Sequence, residues 1–334
     1  MSPAAPVTDT HASAAPTATR DDASESASTT AGTAATTLTV AASANTVTAA
    51  SSSPDPAARE TWRGELELGI TARPGRSVAT HQFHRGALRV LRPHYLDASG
   101  QVTYTVVNPG GAYLDGDRYR VAVTVGDGAD LLLTTQSATK VYRTPVGLST
   151  QEMTVRLGSG ARLEYLPDQL IAYRDSRYRQ HTLVDMDPSA TLVLAEVVTP
   201  GWSPTGEPFR YDSVRLRTEV RMSGRPAALD NIRLEPSGDE PGFGGVGSFE
   251  GFSHVGSLLV LDPRADDAAL AAVRALLTER AGHLRGGASA LAVPGFALRV
   301  LGNSTQEIDE LILAAVAVFR ERFFDQGPVN LRKY

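Results

Sequence analysis

"VAVTVGDGADLLL" (121–133), "MTVRLGSGARLEY" (153–165) and "TLVDMDPSATLVL" (182–194) follow one pattern, and "TEVRMSGRPAAL" (218–229) shares its first half. Each has an alternating strand, a tight polar turn and a small-residue start to a second strand. Val125, Leu157, Met186 and Met222 hold one equivalent position; Val123, Val155, Val184 and Val220 stand two residues earlier. In the first three segments the turn leads into Ala129-x-Leu131, Ala161-x-Leu163 and Ala190-x-Leu192. The intervals are 32, 29 and 36 residues, a loose but persistent period. A strand–turn–strand unit returning at this spacing predicts a mainly β fold of stacked, solenoid-like coils. A plain β-sandwich also gives short strands with turns, so the two architectures stand side by side at this level. Strand periodicity is clearest in Val214–Met222, where apolar residues and Thr218 alternate with Arg215, Arg217, Glu219 and Arg221.

Beyond the repeat the pattern changes. "DPRADDAALAAVRALLTERAG" (262–282) and "NSTQEIDELILAAVAVFRERFF" (303–324) have helical apolar spacing, and Ser304-x-x-Glu307 is a capping box. "ASALAVPGFALRVLG" between them reads as a strand pair around a Pro-Gly turn. Two C-terminal helices covering an end or edge of the sheets are therefore expected.

Residues 1–60 are mostly Ser, Thr, Ala and Pro, with six acids against two arginines. This composition cannot bury enough apolar surface to offset the entropy of ordering, so the segment is expected to be a disordered tail preceding a single domain over 61–334. It lacks the basic start and apolar core of a secretory signal. There is no cysteine, which leaves no disulfide or thiolate metal site and fits a reducing, cytoplasmic setting. The longest apolar run, Leu311–Phe319, is too short to span a bilayer. Outside the tail the chain is nearly neutral, which argues against a general nucleic-acid binder.

Few motifs of enzyme chemistry survive inspection. In "NPGGAYLDGDRYRVAVTVGDGADLLLTTQSATKVYR" (108–143) Lys140 stands far from Gly110, Gly111 and Gly116, so the stretch is not a phosphate-binding loop. Gly242-x-Gly244-x-x-Gly247 fits the dinucleotide spacing but follows a loop rather than a strand. His81-x-x-His84 would point to opposite faces of a strand, and no zinc-protease motif or nucleophile elbow is present. Paired glycosidase carboxylates need only spatial proximity, yet the chain has few aromatics to line a sugar cleft.

Strand parity gives a sharper clue. Glu196 continues the inward face of Ala190, Leu192 and Leu194, and Asp117 continues that of Tyr119, Val121 and Val123. Glu164 alternates to the face opposite Leu163 and Tyr165. A lone buried carboxylate costs several kcal/mol unless it is paired, hydrated, protonated or metal-bound. Two readings fit: Asp117 caps a turn and Glu196 pairs with an arginine, or both line an interior passage for a cation.

The stretch 108–143, with "LEYLPDQLIAYRDSRYRQHTLVDMDPSATLVLAEVVTPG", "FRYDSVRLRTEVRMSGRP" and "GFSHVGSLLVL", resembles the urease accessory protein family UreD, also called UreH, over roughly residues 80–324. The signature residues occur in the family's order: Gly110, Gly111, Gly116 and Asp117, Thr134 and Thr135, Thr139 and Lys140, then Tyr142 and Arg143. The resemblance implies a stack of strands with two helices. It also implies a non-enzymatic scaffold that binds UreF, through it recruits the GTPase UreG, and delivers nickel to apo-urease through internal water-filled passages. No tightly bound cofactor is implied; nickel is cargo in transit, and GTP belongs to the partner. Asp117 falls on the family's Gly-Asp, while Glu164 and Glu196 fall in blocks that commonly carry acids, which makes all three candidate nickel-passage residues. Asn108 departs from a common histidine, and "GPVNLRKY" (327–334) from the usual aromatic ending. The rival classes are a β-solenoid carbohydrate-active enzyme and a generic interaction scaffold.

Overall fold

The computed structural model describes residues 62–236, 243 and 248–331. The 1–60 segment, the glycines of the 242–247 motif and residues 332–334 lie outside the described residues. The chain begins with β1 (Gly64–Arg73), β2 (Arg76–Gly86), β3 (Arg89–Val90), β4 (His94–Tyr95) and β5 (Val102–Val107). The repeat follows as β6 (Arg118–Val125), β7 (Asp130–Thr135), β8 (Thr139–Val141), β9 (Ser149–Leu157), β10 (Arg162–Leu166), β11 (Leu170–Ala172), β12 (Arg177–Met186), β13 (Thr191–Val198) and β14 (Ser213–Met222). It closes with β15 (Arg225–Leu234), β16 (His254–Leu261), α1 (Asp267–Glu279), β17 (Arg285–Ala290), β18 (Gly295–Gly302) and α2 (Thr305–Phe324).

These strands form two sheets. The front sheet runs β15-β14-β12-β9-β6-β1-β2, and the main path of the back sheet runs β17-β18-β16-β13-β10-β7-β5-β3. Each coil supplies one strand to the front sheet and one to the main path of the back sheet, parallel to the strand one coil before; β8 and β11 add a short parallel pair beside β13. Val123, Val155, Val184 and Val220 pair in one continuous row, as the repeat requires. Leu131, Leu163 and Leu192 do the same in the back sheet. The stack is a solenoid whose two faces pack as a sandwich, so both architectural readings contribute.

The turns explain the register. Ala129, Ala161 and Ala190 each donate N–H to the residue three before, and all three are fully buried. Ser159 N–H donates to Asp127 Oδ1 of the preceding turn at 2.8 Å, and Gly160 N–H to Ser189 Oγ of the next at 2.9 Å. Gly158 is required there, because a Cβ would lie 2.2 Å from Asp127 Oδ1.

Two expectations are corrected. The fourth segment does not cross to the back sheet. Ser223 and Gly224, both left-handed at φ 50° and 75°, form a two-residue turn that sends β15 back antiparallel to β14. The missing Ala-x-Leu in that segment is the sequence trace of this difference. The helices, expected at an end or edge, instead cover the outer face of the back sheet. There Ile308, Leu311, Ala315 and Phe319 pack with Val193, Val197, Leu258 and Val260. β13 and β16 are buried on both faces and read as nearly continuous apolar runs rather than alternating ones. The helix starts match the sequence signals: Asp266 accepts from Ala269 N at 2.8 Å, and Ser304 from Glu307 N at 3.4 Å. β1 extends the stack by a further row, Leu68 beside Val123. It runs into β2 by a hairpin, so it carries no repeat signature.

Candidate functional site

The signature glycines are turn residues. Asn108 Oδ1 accepts from Gly110 N at 3.0 Å, Gly111 sits at φ 77°, and Gly116 at φ 75° completes a turn in which Asp117 N donates to Leu114 O. Asp117 precedes β6. Its Oδ2 accepts from Leu114 N at 2.9 Å and from the Tyr119 hydroxyl at 3.2 Å, and Arg63 approaches its Oδ1 at 3.9 Å. It is a half-buried turn cap at the rim of the interior.

From this rim a line of polar side chains runs between the sheets. Tyr113 stacks on Tyr119 with ring centroids 3.7 Å apart and donates its hydroxyl to Gln151 Oε1 at 2.6 Å. Gln151 Nε2 reaches Gln180 Oε1 at 3.4 Å, and Tyr178 donates to the same oxygen at 3.2 Å. Gln180 Nε2 then donates to Glu196 Oε1 at 2.7 Å. Tyr119, Gln151 and Gln180 are register neighbours on β6, β9 and β12, so the line crosses the strands of the front sheet.

Two cavities flank this line. One of about 50 Å³ is lined by residues including Asn108, Gly111, Tyr113, Lys140 and Gln151. The other, about 30 Å³, is lined by residues including Gln180, Glu196 and Asp168. Thr139, Gln151 and Tyr165 belong to both. A water needs about 10–15 Å³ on this measure, so each has room for water.

Glu196 is the electrostatic centre of the line. It is 6% exposed, and the Gln180 amide is its one hydrogen-bonding side-chain partner among the described residues. Burial, then the negative charge of Asp230, push its carboxyl up to about 8, while Arg299 and Gln180 pull the other way. Of the two readings of Glu196, a hydrogen-bonded arginine partner is not what the geometry gives.

Glu164 lies elsewhere. It is fully buried on the outer face of the back sheet, between Arg162 and Arg320, with Arg320 Nη1 at 2.5 Å. Arg320 also holds Gln101 Oε1 at 3.0 Å, and the Arg162 guanidinium lies 3.6 Å over the Phe324 ring. The structure thus brings Asp117 and Glu196 to one seam and sets Glu164 on the opposite face, as its parity required.

The remaining signature residues surround the seam. Thr134 donates to Leu166 O, and Thr135 exchanges hydrogen bonds with Asp168, tying β7 to the chain after β10. Lys140 is half-buried, and its carbonyl accepts from Tyr113 N at 2.8 Å. Tyr142 is on the outside, edge-on to Tyr173, which in turn meets Trp202 at 4.8 Å. Arg143 is exposed. His81 pairs with Glu67 at 3.0 Å, as a surface histidine. Sequence reasoning missed Tyr113, Gln151, Gln180 and Asp230. Gln151 and Gln180 share the inward parity of Val155 and Val184, so the rule applied to the carboxylates would have found them.

Among the described residues no helix is long and apolar enough to cross a membrane. Residues 63–333 match the family model described as UreD urease accessory protein. The chain is 53% identical over 284 residues to the urease accessory protein UreD of Arthrobacter sp. (strain FB24), covering 82% of this chain and 95% of that protein. It is 46% identical to the protein of that name from Corynebacterium glutamicum (81% and 98%) and 32% identical to that from Bacillus cereus (81% and 98%).

Proposed function

The chain belongs to the UreD urease accessory protein family and so has a role in urease maturation, and from that premise we propose that it is a non-enzymatic scaffold passing nickel along its interior seam to apo-urease. In this reading it bridges apo-urease to UreF and, through UreF, to the GTPase UreG, in the cytoplasm. Nickel is cargo, and the nucleotide belongs to the GTPase. The observation that carries the reading is the largely buried line Tyr113–Gln151–Gln180–Glu196 with two small cavities flanking it. A fold stabilised only by packing gains nothing from a carboxylate held there by a neutral amide. A transit path needs that kind of group: an oxygen ligand, weakly compensated, beside water. Asp117 stands at the rim, Glu196 in the middle, and Glu164 outside the path as a structural residue.

The test is Glu196→Gln, which keeps the hydrogen-bonding shape and removes the carboxyl's ability to give up a proton to an arriving cation. Complex yield with the partner proteins should stay near wild type. Nickel per urease active site should fall at least several-fold when nickel is limiting and recover when nickel is abundant. Normal loading at limiting nickel would remove Glu196 from the path.

A further inference from the structure

Beyond Glu196 the two sheets face each other with one polar row apiece. On the front sheet Thr182, Thr218 and Asp230 are register neighbours on β12, β14 and β15. On the back sheet Glu196, Ser257 and Arg299 are register neighbours on β13, β16 and β18. The rows meet where Asp230 Oδ2 accepts from Ser257 Oγ at 2.8 Å and Oδ1 accepts from Arg299. Apart from Arg299, the side chains of both rows carry only oxygen as their polar atoms.

Two features set this place apart from an ordinary tie between sheets. First, Thr182 and Thr218 are 0% and 1% exposed, and neither hydroxyl has a hydrogen-bond partner among the described residues. A buried hydroxyl without a partner costs about 1–3 kcal/mol, and two side by side in one row point to a polar occupant. Second, the positive charge serving this place is unevenly placed. Arg299 contacts Asp230 and not Glu196, and its side chain is 41% exposed, so solvent is open to it. Glu196, 6% exposed, feels Arg299 only at a distance, and among the described residues its one hydrogen-bonding side-chain partner is the Gln180 amide.

We propose that the facing rows form a station for a divalent cation, with Arg299 as its displaceable occupant. An ion arriving beside Glu196 takes over Asp230, the hydroxyls of Thr182 and Thr218 turn their lone pairs to it directly or through water, and the guanidinium withdraws to solvent. Oxygen ligands from two carboxylates and two hydroxyls suit a borderline divalent ion held weakly enough to leave. The competing cation sets the affinity: while Arg299 holds Asp230, only a fraction of the binding energy is realised. This deepens the passage reading and rests on it only for the identity of the cargo.

The experiment is calorimetry of the purified full chain with nickel(II) chloride, with melting curves alongside. Arg299→Gln should bind nickel about tenfold more tightly than wild type, since removing a competitor worth about 1.4 kcal/mol is one decade. Arg299→Lys, which keeps a cation, should stay nearer wild type. Thr218→Val should bind several-fold more weakly while melting at the same or a higher temperature, because the lost hydroxyl had no partner in the free protein. Unchanged or weaker nickel binding in a folded Arg299→Gln overturns the proposal. So does unchanged binding in Thr218→Val, which keeps the test decisive should Arg299→Gln fail to fold. The two readings separate cleanly. Poor urease loading by Glu196→Gln with no effect of Arg299→Gln or Thr218→Val on binding leaves the passage and removes the station. Tighter binding in Arg299→Gln with normal urease loading by Glu196→Gln leaves the station and removes the passage.

Discussion

Glu164 and Glu196 stand on adjacent strands of the back sheet, and both are buried, at 0% and 6% exposure. They are held in opposite ways. Glu164, under α2, lies between two arginines that are themselves 2% and 1% exposed and further satisfied by Gln101 and Gln326. Glu196, between the sheets, has an amide, a repelling Asp230 and a cavity. Burial alone therefore says little about a carboxylate's purpose. Glu164 is enclosed by two guanidiniums, whereas Glu196 has no cation within hydrogen-bonding distance among the described residues.

The largest expected effect tests the frame that holds both. Val155 is 1% exposed and centred in the row Val123–Val155–Val184–Val220. Val155→Asp puts an unpaired charge there, at a cost of several kcal/mol. The protein should not reach a native melting transition. Near-normal stability would break the register on which the comparison rests.

Next comes the paired glutamate. Glu164→Ala leaves two buried guanidiniums without their shared carboxylate and should cost about 3–5 kcal/mol in denaturant unfolding. An effect below about 1 kcal/mol would show that the arginine pair is not a closed unit and would undo the contrast with Glu196.

How much of this was legible in the sequence follows the same division. The stack was legible because parallel coils repeat their residues: aligning "MTVRLGSGARLEY" with its neighbours places Val155 beside Val123 and Val184 without coordinates. The opposite facing of Glu164 and Glu196 was legible from parity. The partners were not. Glu164 meets Arg320, 156 residues away, because α2 lies across the back sheet, and helix packing leaves no trace in strand periodicity. Asp230 joins the seam only because β15 turns back and a register irregularity after Val220 puts Asp230, not a neighbour, opposite Thr218. A one-residue slip flips every side chain, so no parity rule crosses that irregularity.

Glu196 should also reveal itself through pH. Its carboxyl titrates near 4.5 in the unfolded chain and about 8 in the fold. Between those values the native state keeps a proton that the unfolded chain has lost, so stability contributed by this group falls as pH rises through the window and levels off above it. Glu196→Gln removes the dependence. Its melting temperature, compared with wild type, should gain several degrees between pH 5 and pH 8.5 and then stay level. A constant difference across that range would mean that Glu196 is already ionised and compensated in the fold, and the contrast with Glu164 would collapse.

The smallest effect belongs to Asp117, and it decides whether the rim is part of the path or only a turn. Its Oδ2 accepts from Leu114 N and from Tyr119, whose phenol is pushed up to about 12 by burial first and by the Asp117 charge second. Asparagine keeps an acceptor in that position and suits the same turn. Asp117→Asn should therefore stay within about 0.5 kcal/mol of wild type, whereas Asp117→Ala loses the cap at about 1 kcal/mol. A turn cap without further purpose predicts that urease activation tracks stability: normal in the asparagine variant, reduced only in the alanine variant. A rim carboxylate that gathers cations predicts the reverse grouping. Both variants lack the charge, so both should load nickel poorly when it is scarce, in spite of their different melting temperatures. Nickel per active site plotted against melting temperature for wild type, Asp117→Asn, Asp117→Ala and Glu196→Gln separates the two cases. If the Asp117 variants fall with Glu196→Gln, the seam begins at the Gly-Asp turn. If Asp117→Asn falls with wild type, the path begins deeper, at the cavity beside Lys140 and Gln151.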